Sequence, residues 1–182
     1  MAARAPEDTA AAVARDSYGR LVAYLAARSH DIAGAEDALS DAFAAALVHW
    51  PVDGVPDAPE AWLLTAARRR LHDRWRHGRV EAGAEATLAI VFGELAATPE
   101  PQFPDERLKL MFVCAHPAID SAARAALMLQ TVLGLDAARI ASAFLVAPAT
   151  LSQRLVRAKT KIRSAGIAFE AVSYTHLRAH ET

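Results

Sequence analysis

The sequence predicts an all-α protein of two small helical domains joined by an acidic linker, and three observations predict it. Alanine supplies 44 of the 182 residues; it favours helix more than any other residue and buries little area, which points to helices around thin cores. Apolar residues recur at three- and four-residue spacing in segments of helical length, before and after a stretch that lacks any sustained period. The charge follows the same division. Residues 1–80 carry net −1, residues 81–104 net −4 with no basic group, and residues 105–171 net +4, although the whole chain carries only −1.

In chain order, the first expected helix covers 11–28, with Tyr18, Leu21, Val22 and Leu25 on one face. A second begins near Ala35, repeats Leu39, Phe43 and Leu47 every four residues, and is expected to end at Trp50-Pro51, because proline cannot continue a helix. Three prolines and a glycine make 51–59 a loop. The third helix starts at about Pro59, preorganised for a first turn, and runs to about His77, with Gly78 as its stop. These three form a first domain over 1–80. Residues 81–104, ending in Thr98-Pro-Glu-Pro-Gln-Phe-Pro104, read as a linker, with room for a helical turn over 88–95. The second domain, 105–171, holds helices over 106–114, 121–133, 136–144 and 148–164; Ser121 and Asp136 are the expected N-caps, Gly134 and Gly166 the expected stops.

No apolar run approaches the ~18 residues that a membrane span needs, and the first ten residues lack the charged-then-apolar order of a signal peptide. The expectation is a cytoplasmic protein with no membrane insertion. The single cysteine, Cys114, excludes an internal disulfide framework and any multi-cysteine zinc site. Cys114 and His116 stand close in sequence, but a nucleophilic thiol needs a base and an oxyanion site, and zinc needs three or four ligands. Neither set is assembled, so no enzyme, metal site or cofactor is expected.

The stretch from Leu135 to Ala158 has helix-turn-helix spacing: a short helix with Ile140 and small Ala141, a tight turn at Leu145, Val146 and Ala147, and a longer helix opened by Pro148. On that second helix Leu151, Leu155, Ala158 and Ile162 fall within about 60° of one another at the helical step, so they face the core. Ser152, Gln153, Val156 and Arg157 then face outward, with Arg154 nearer the flank. An α-hairpin with a solvated basic face has the same pattern.

Eleven of the 20 basic residues sit in two stretches, six in 68–79 and five in 154–163, which makes two candidate phosphate footprints. In the first, Arg69, His72, Arg76 and Arg79 form one stripe opposite Leu63, Ala67 and Leu71. Such a stripe can follow a phosphate backbone, and Trp62 or Trp75 can stack on an unpaired base; a solvated helix face and a core tryptophan are the competing readings. Residues 31–60 have the opposite sign, with seven carboxylates, Glu36, Asp37 and Asp41 among them, and no Lys or Arg. An acidic surface beside a basic one suggests a protein partner as well as a nucleic acid.

With these features in place, residues 13–171 resemble an extracytoplasmic-function sigma factor of bacterial RNA polymerase. The first domain resembles sigma region two. Gly34-Ala-Glu-Asp-Ala-Leu-Ser-Asp-Ala-Phe43 is similar to the segment that binds the beta-prime clamp helices, which implies polymerase-binding roles for Glu36, Asp37 and Asp41. The helix from Ala61 to Arg76 is similar to the minus-ten-reading helix, and the second domain to region four, whose helix-turn-helix reads the minus-thirty-five element. Arg107-Leu-Lys-Leu-Met-Phe-Val-Cys-Ala-His-Pro117 further resembles a subgroup that usually carries a helical-repeat extension, absent here. Position 69 departs from the pattern, with Arg where the family commonly has Asn to help hold a flipped base. Residues 172–182 fit neither the alanine-rich composition nor the family and read as a non-native tail.

The resemblance implies a non-enzymatic factor that binds core polymerase, recognises promoter DNA and directs transcription initiation, with room for an anti-sigma or other regulatory partner. The DNA-binding residues would be Arg69, His72, Arg76, Arg79, Ser152, Gln153, Arg154, Val156 and Arg157. The alternative is a stand-alone helix-turn-helix repressor, which would need a dimer interface and ignore polymerase.

Overall fold

The computed structural model describes residues 5–82 and 103–169, the side chains of 75 and 77–82 excepted. All regular structure among the described residues is helical: α1 (Pro6–Ser29), α2 (Ile32–Asp53), α3 (Pro59–Ala82), α4 (Arg107–Ala115), α5 (Ser121–Thr131), α6 (Ala137–Ala143) and α7 (Pro148–Ser164). None of these helices is long and apolar enough to cross a membrane. The expected linker turn over 88–95 and the tail 172–182 lie outside the described residues.

The chain's alanines let α1, α2 and α3 approach closely. Ala35, Ala38, Ala42 and Ala46 line the buried side of α2, while Leu21, Leu25, Leu39, Trp50, Leu63 and Leu64 supply most of the apolar volume. Glu7 and Asp8 complement the positive end of the α1 dipole. His30 closes that helix with left-handed backbone, φ 54°, and donates its N–H to the Ala26 carbonyl at 2.8 Å. Asp31 then caps α2, accepting from the Gly34 N–H at 3.1 Å.

Several expected boundaries move, and the first helix already starts at Pro6 instead of residue 11. The second helix begins at Ile32 and runs through Pro51 to Asp53. Pro51 removes one N–H from the ladder, but only two helical residues follow it, and the Gly54 N–H, at φ 88°, closes the end on the Trp50 carbonyl at 3.0 Å. The third helix continues through Gly78 to Ala82, absorbing the roughly 0.5–1 kcal/mol that an interior glycine costs against alanine. The cap of α5 is Asp120, whose carboxylate accepts from the Ala122 N–H at 3.0 Å, rather than Ser121.

Helices α4 to α7 also pack together, with Leu110, Leu127, Ile140, Leu151 and Ile162 buried. The two groups of helices are not independent. Helix α4 lies along α1, α7 touches α2, and the buried residues of both groups form one continuous cluster. Gly19 of α1 lies against the Val132 carbonyl so closely that a Cβ would overlap it, and a Cβ at Gly134 would lie 2.9 Å from Tyr18 Cδ1. Phe103 packs edge-on against Tyr24 at 5.3 Å, and Phe169 against His30 at 5.6 Å.

Candidate nucleic-acid interface

The C-terminal helices build a helix-turn-helix from the turn upward. Asp136 caps α6 by accepting from the N–H groups of Ala138 at 2.9 Å and Arg139 at 3.3 Å. Ala141 is fully buried, a methyl small enough for α6 to lie close to α7, and its carbonyl accepts from the Val146 N–H at 3.0 Å. The reversal falls on Leu145, which adopts φ 54° and is 94% exposed. Pro148 opens α7 within its first turn.

The faces of α7 separate by residue type. Leu151, Leu155, Ala158 and Ile162 are buried, Ser152, Gln153, Val156 and Arg157 are exposed, and Arg154 is half-buried. Val156 is an apolar side chain left 64% exposed among polar neighbours. A helix presenting Ser, Gln, Val and Arg together has a donor-acceptor pair, a fork of donors and a methyl surface, the set used to read base edges in a major groove.

The second basic surface lies on α3. Arg69, His72 and Arg76 are exposed opposite buried Leu63, Ala67 and Leu71. The Arg79 side chain and that of Trp75 lie outside what the structure describes. Two arginines of this stretch turn elsewhere. Arg68 bends inward to the Tyr24 hydroxyl, with its guanidinium 5.0 Å from the ring centre, and Arg74 crosses to Asp37 at 3.0 Å. Trp62 packs at 5.6 Å edge-on against buried Trp50, so its indole belongs to the packing of α2 on α3.

The acidic residues of α2 divide as well. Asp37 and Asp41 are exposed. Glu36 is half-buried, its Oε2 2.5 Å from the Lys159 ammonium of α7, which also donates to Gln130 Oε1 at 2.7 Å. Burial pushes the Glu36 carboxyl above its ordinary range, with the Lys159 charge and hydrogen bond pulling the other way. Asp31 accepts from Arg163 at 3.3 Å in addition to capping α2. Glu60, which the sequence places in an acidic surface, takes both Ser17 and Arg20 of α1 and fastens the start of α3. In the sequence Lys159 and Arg163 stand out only as part of a basic run; that Lys159 sits one position past buried Ala158 and four past buried Leu155 is the signal that places it at the edge of the core.

Cys114 and His116 do not assemble. The thiol is buried, 3.5 Å from the Thr131 hydroxyl, whereas the His116 ring is exposed and its Nδ1 accepts from the Ala118 N–H at 3.1 Å.

Comparison with known proteins gives the framework for these surfaces. Residues 14–80 match the Sigma-70 region 2 family, so Arg69, His72 and Arg76 on the exposed face of α3 lie inside the matched region. A protein of Rhizobium meliloti (strain 1021), described as uncharacterized, is 37% identical over 158 residues, covering 84% of this chain and 36% of its own length. The chain thus spans about a third of the relative it matches.

Proposed function

We propose that this chain, which carries a Sigma-70 region 2 domain, is an extracytoplasmic-function sigma factor: it binds core RNA polymerase and directs promoter recognition and transcription initiation. The observation that carries the reading is the position of Arg69, His72 and Arg76. They are exposed on one face of α3, within the region-2 match, where a basic stripe can hold strand-separated DNA. A sigma-70 region 2 domain supports a role in polymerase binding and promoter melting.

In this reading the exposed acids of α2, Asp37 and Asp41, with Glu36 beside them, meet the beta-prime clamp helices. The outward face of α7 enters the upstream major groove as a region-four head, and residues 81–104 join the two as an acidic linker. No bond is made or broken by the chain itself. Strand separation is driven by binding the unpaired strand, each base-stacking contact contributing about 1–3 kcal/mol.

Gel filtration of the purified chain with bacterial core polymerase tests the assignment. Co-elution with core in equimolar amount is expected. A chain that elutes as a dimer, ignores polymerase and still shifts duplex DNA would be a stand-alone helix-turn-helix repressor instead.

A further inference from the structure

Along the exposed side of α7 runs a row of side chains that carries no charge. Ala149, Gln153, Val156 and Thr160 follow one another at i, i+4, i+7 and i+11, and all four are exposed. The row lies opposite buried Leu151, Leu155, Ala158 and Ile162. The cations of the helix stand at its edges. Arg154, Arg157 and Lys161 form a row of their own at i, i+3 and i+7, while Lys159 and Arg163 on the other side reach Glu36 and Asp31 of α2.

A face built only to meet water has no use for this pattern. Val156 is β-branched and loses rotamer freedom in a helix, and at 64% exposed it gains little packing in return. Ala149 and Val156 also have nothing to give a phosphate, which is held by cations and hydrogen-bond donors. What a major groove offers them is the C5-methyl of thymine, while the amide of Gln153 between them suits N6 and N7 of adenine. Both chemistries belong to A·T pairs.

We propose that α7 reads A·T pairs by methyl contact: Ala149 and Val156 each lie against a thymine C5-methyl of the upstream element, and Gln153 takes an adenine between them. The seven residues from Ala149 to Val156 span about 10 Å at about 1.5 Å per residue, so the two thymines stand about three base pairs apart. The inference rests on the reading of α7 as the upstream-groove helix of a sigma factor.

Deoxyuridine in place of thymine removes that methyl group and nothing else, so it probes the contact one base at a time. The full chain is assembled with bacterial core polymerase, its upstream element is selected from randomised DNA, and affinity is measured for duplexes carrying single uridines. The same duplexes are measured with Val156→Ala and Ala149→Gly, each checked for folding by circular dichroism. The wild-type chain is expected to lose about fourfold in affinity at each of two thymines, the amount that one buried methyl contributes. Val156→Ala abolishes the loss at one of them and Ala149→Gly at the other, and thymines elsewhere tolerate uridine in all three chains. An element without thymine, or one in which no uridine weakens binding, overturns the methyl contact and leaves the sigma-factor reading standing. So does a uridine penalty that both variants keep in full, since the methyl then acts through DNA shape. If the chain does not bind core, or the complex selects no upstream element, the sigma-factor reading falls and the methyl contact with it.

Discussion

Arg74 of α3 reaches Asp37 of α2 at 3.0 Å, tying the basic helix to the acidic one where both side chains are exposed. Exposed pairs of this kind contribute about 0–1 kcal/mol, so the fold does not depend on it. Asp37→Arg with Asp41→Arg should leave the circular dichroism spectrum and melting transition nearly unchanged. Core-polymerase affinity should fall by about tenfold or more, since like charges now face the partner. Unchanged affinity in a pull-down with a normal spectrum would remove these residues from the polymerase surface.

Replacing Arg69, Arg76 and Arg79 by Ala should impair promoter opening more than closed-complex binding. For every phosphate of the single strand that is no longer neutralised, the salt dependence of opening should flatten by roughly 0.7 in the log–log slope. Permanganate footprints equal to wild type across the salt range would show that α3 does not hold the open strand.

The exposed and flanking residues of α7 should differ in kind. Gln153→Ala or Arg157→Ala should relax preference at one or two upstream base pairs, because Gln reads adenine and Arg guanine, each discriminating by about 1–3 kcal/mol. Arg154→Ala, half-buried at the flank, should weaken binding to all sequences alike. Selection from randomised DNA decides between these, and identical preferred motifs for wild type and both specificity variants would put a different face of α7 in the groove.

The register of α7 can be read from Leu151, Leu155, Ala158 and Ile162 because helix geometry alone assigns a face to every residue between them. The end of α2 cannot, because whether Pro51 ends a helix depends on what the few residues after it bond to, here Gly54 closing on Trp50. Least legible is the meeting of the two helix groups. Glu36 and Lys159 lie 123 residues apart, and nothing local distinguishes a lysine that crosses to a distant carboxylate from one that faces water. Glu60 is the same case, an acid at the start of α3 whose partners, Ser17 and Arg20, sit on α1.

Burial pushes the Cys114 thiol from an ordinary 9.0 up to about 11, against the lowering effect of its Thr131 hydrogen bond. The folded chain then holds this proton more tightly than the unfolded chain, so the contribution to stability is full below about pH 9 and is lost as pH rises toward about 11. The thiol should resist disulfide reagents at neutral pH and react on addition of denaturant. Rapid labelling of the native chain would contradict both its burial and its packing role.

Leu145 occupies left-handed backbone that costs a side-chain-bearing residue roughly 1–2 kcal/mol, and being almost fully exposed it returns little packing. Leu145→Gly should therefore raise stability by up to about 1 kcal/mol, the relief exceeding the added freedom of the unfolded chain. A lower melting temperature would mean that Leu145 has a contact the exposed side chain does not reveal.

Whether the region-2 domain and the outward face of α7 act together on polymerase, as proposed, is decided by run-off transcription. Purified chain, bacterial core polymerase and a randomised promoter library are combined, and the transcripts are sequenced. Transcripts are expected from core plus chain and none from core alone, all preceded by a shared pair of upstream and minus-ten elements. Absence of chain-dependent transcripts under conditions where a control sigma factor is active on the same core would contradict the sigma-factor reading.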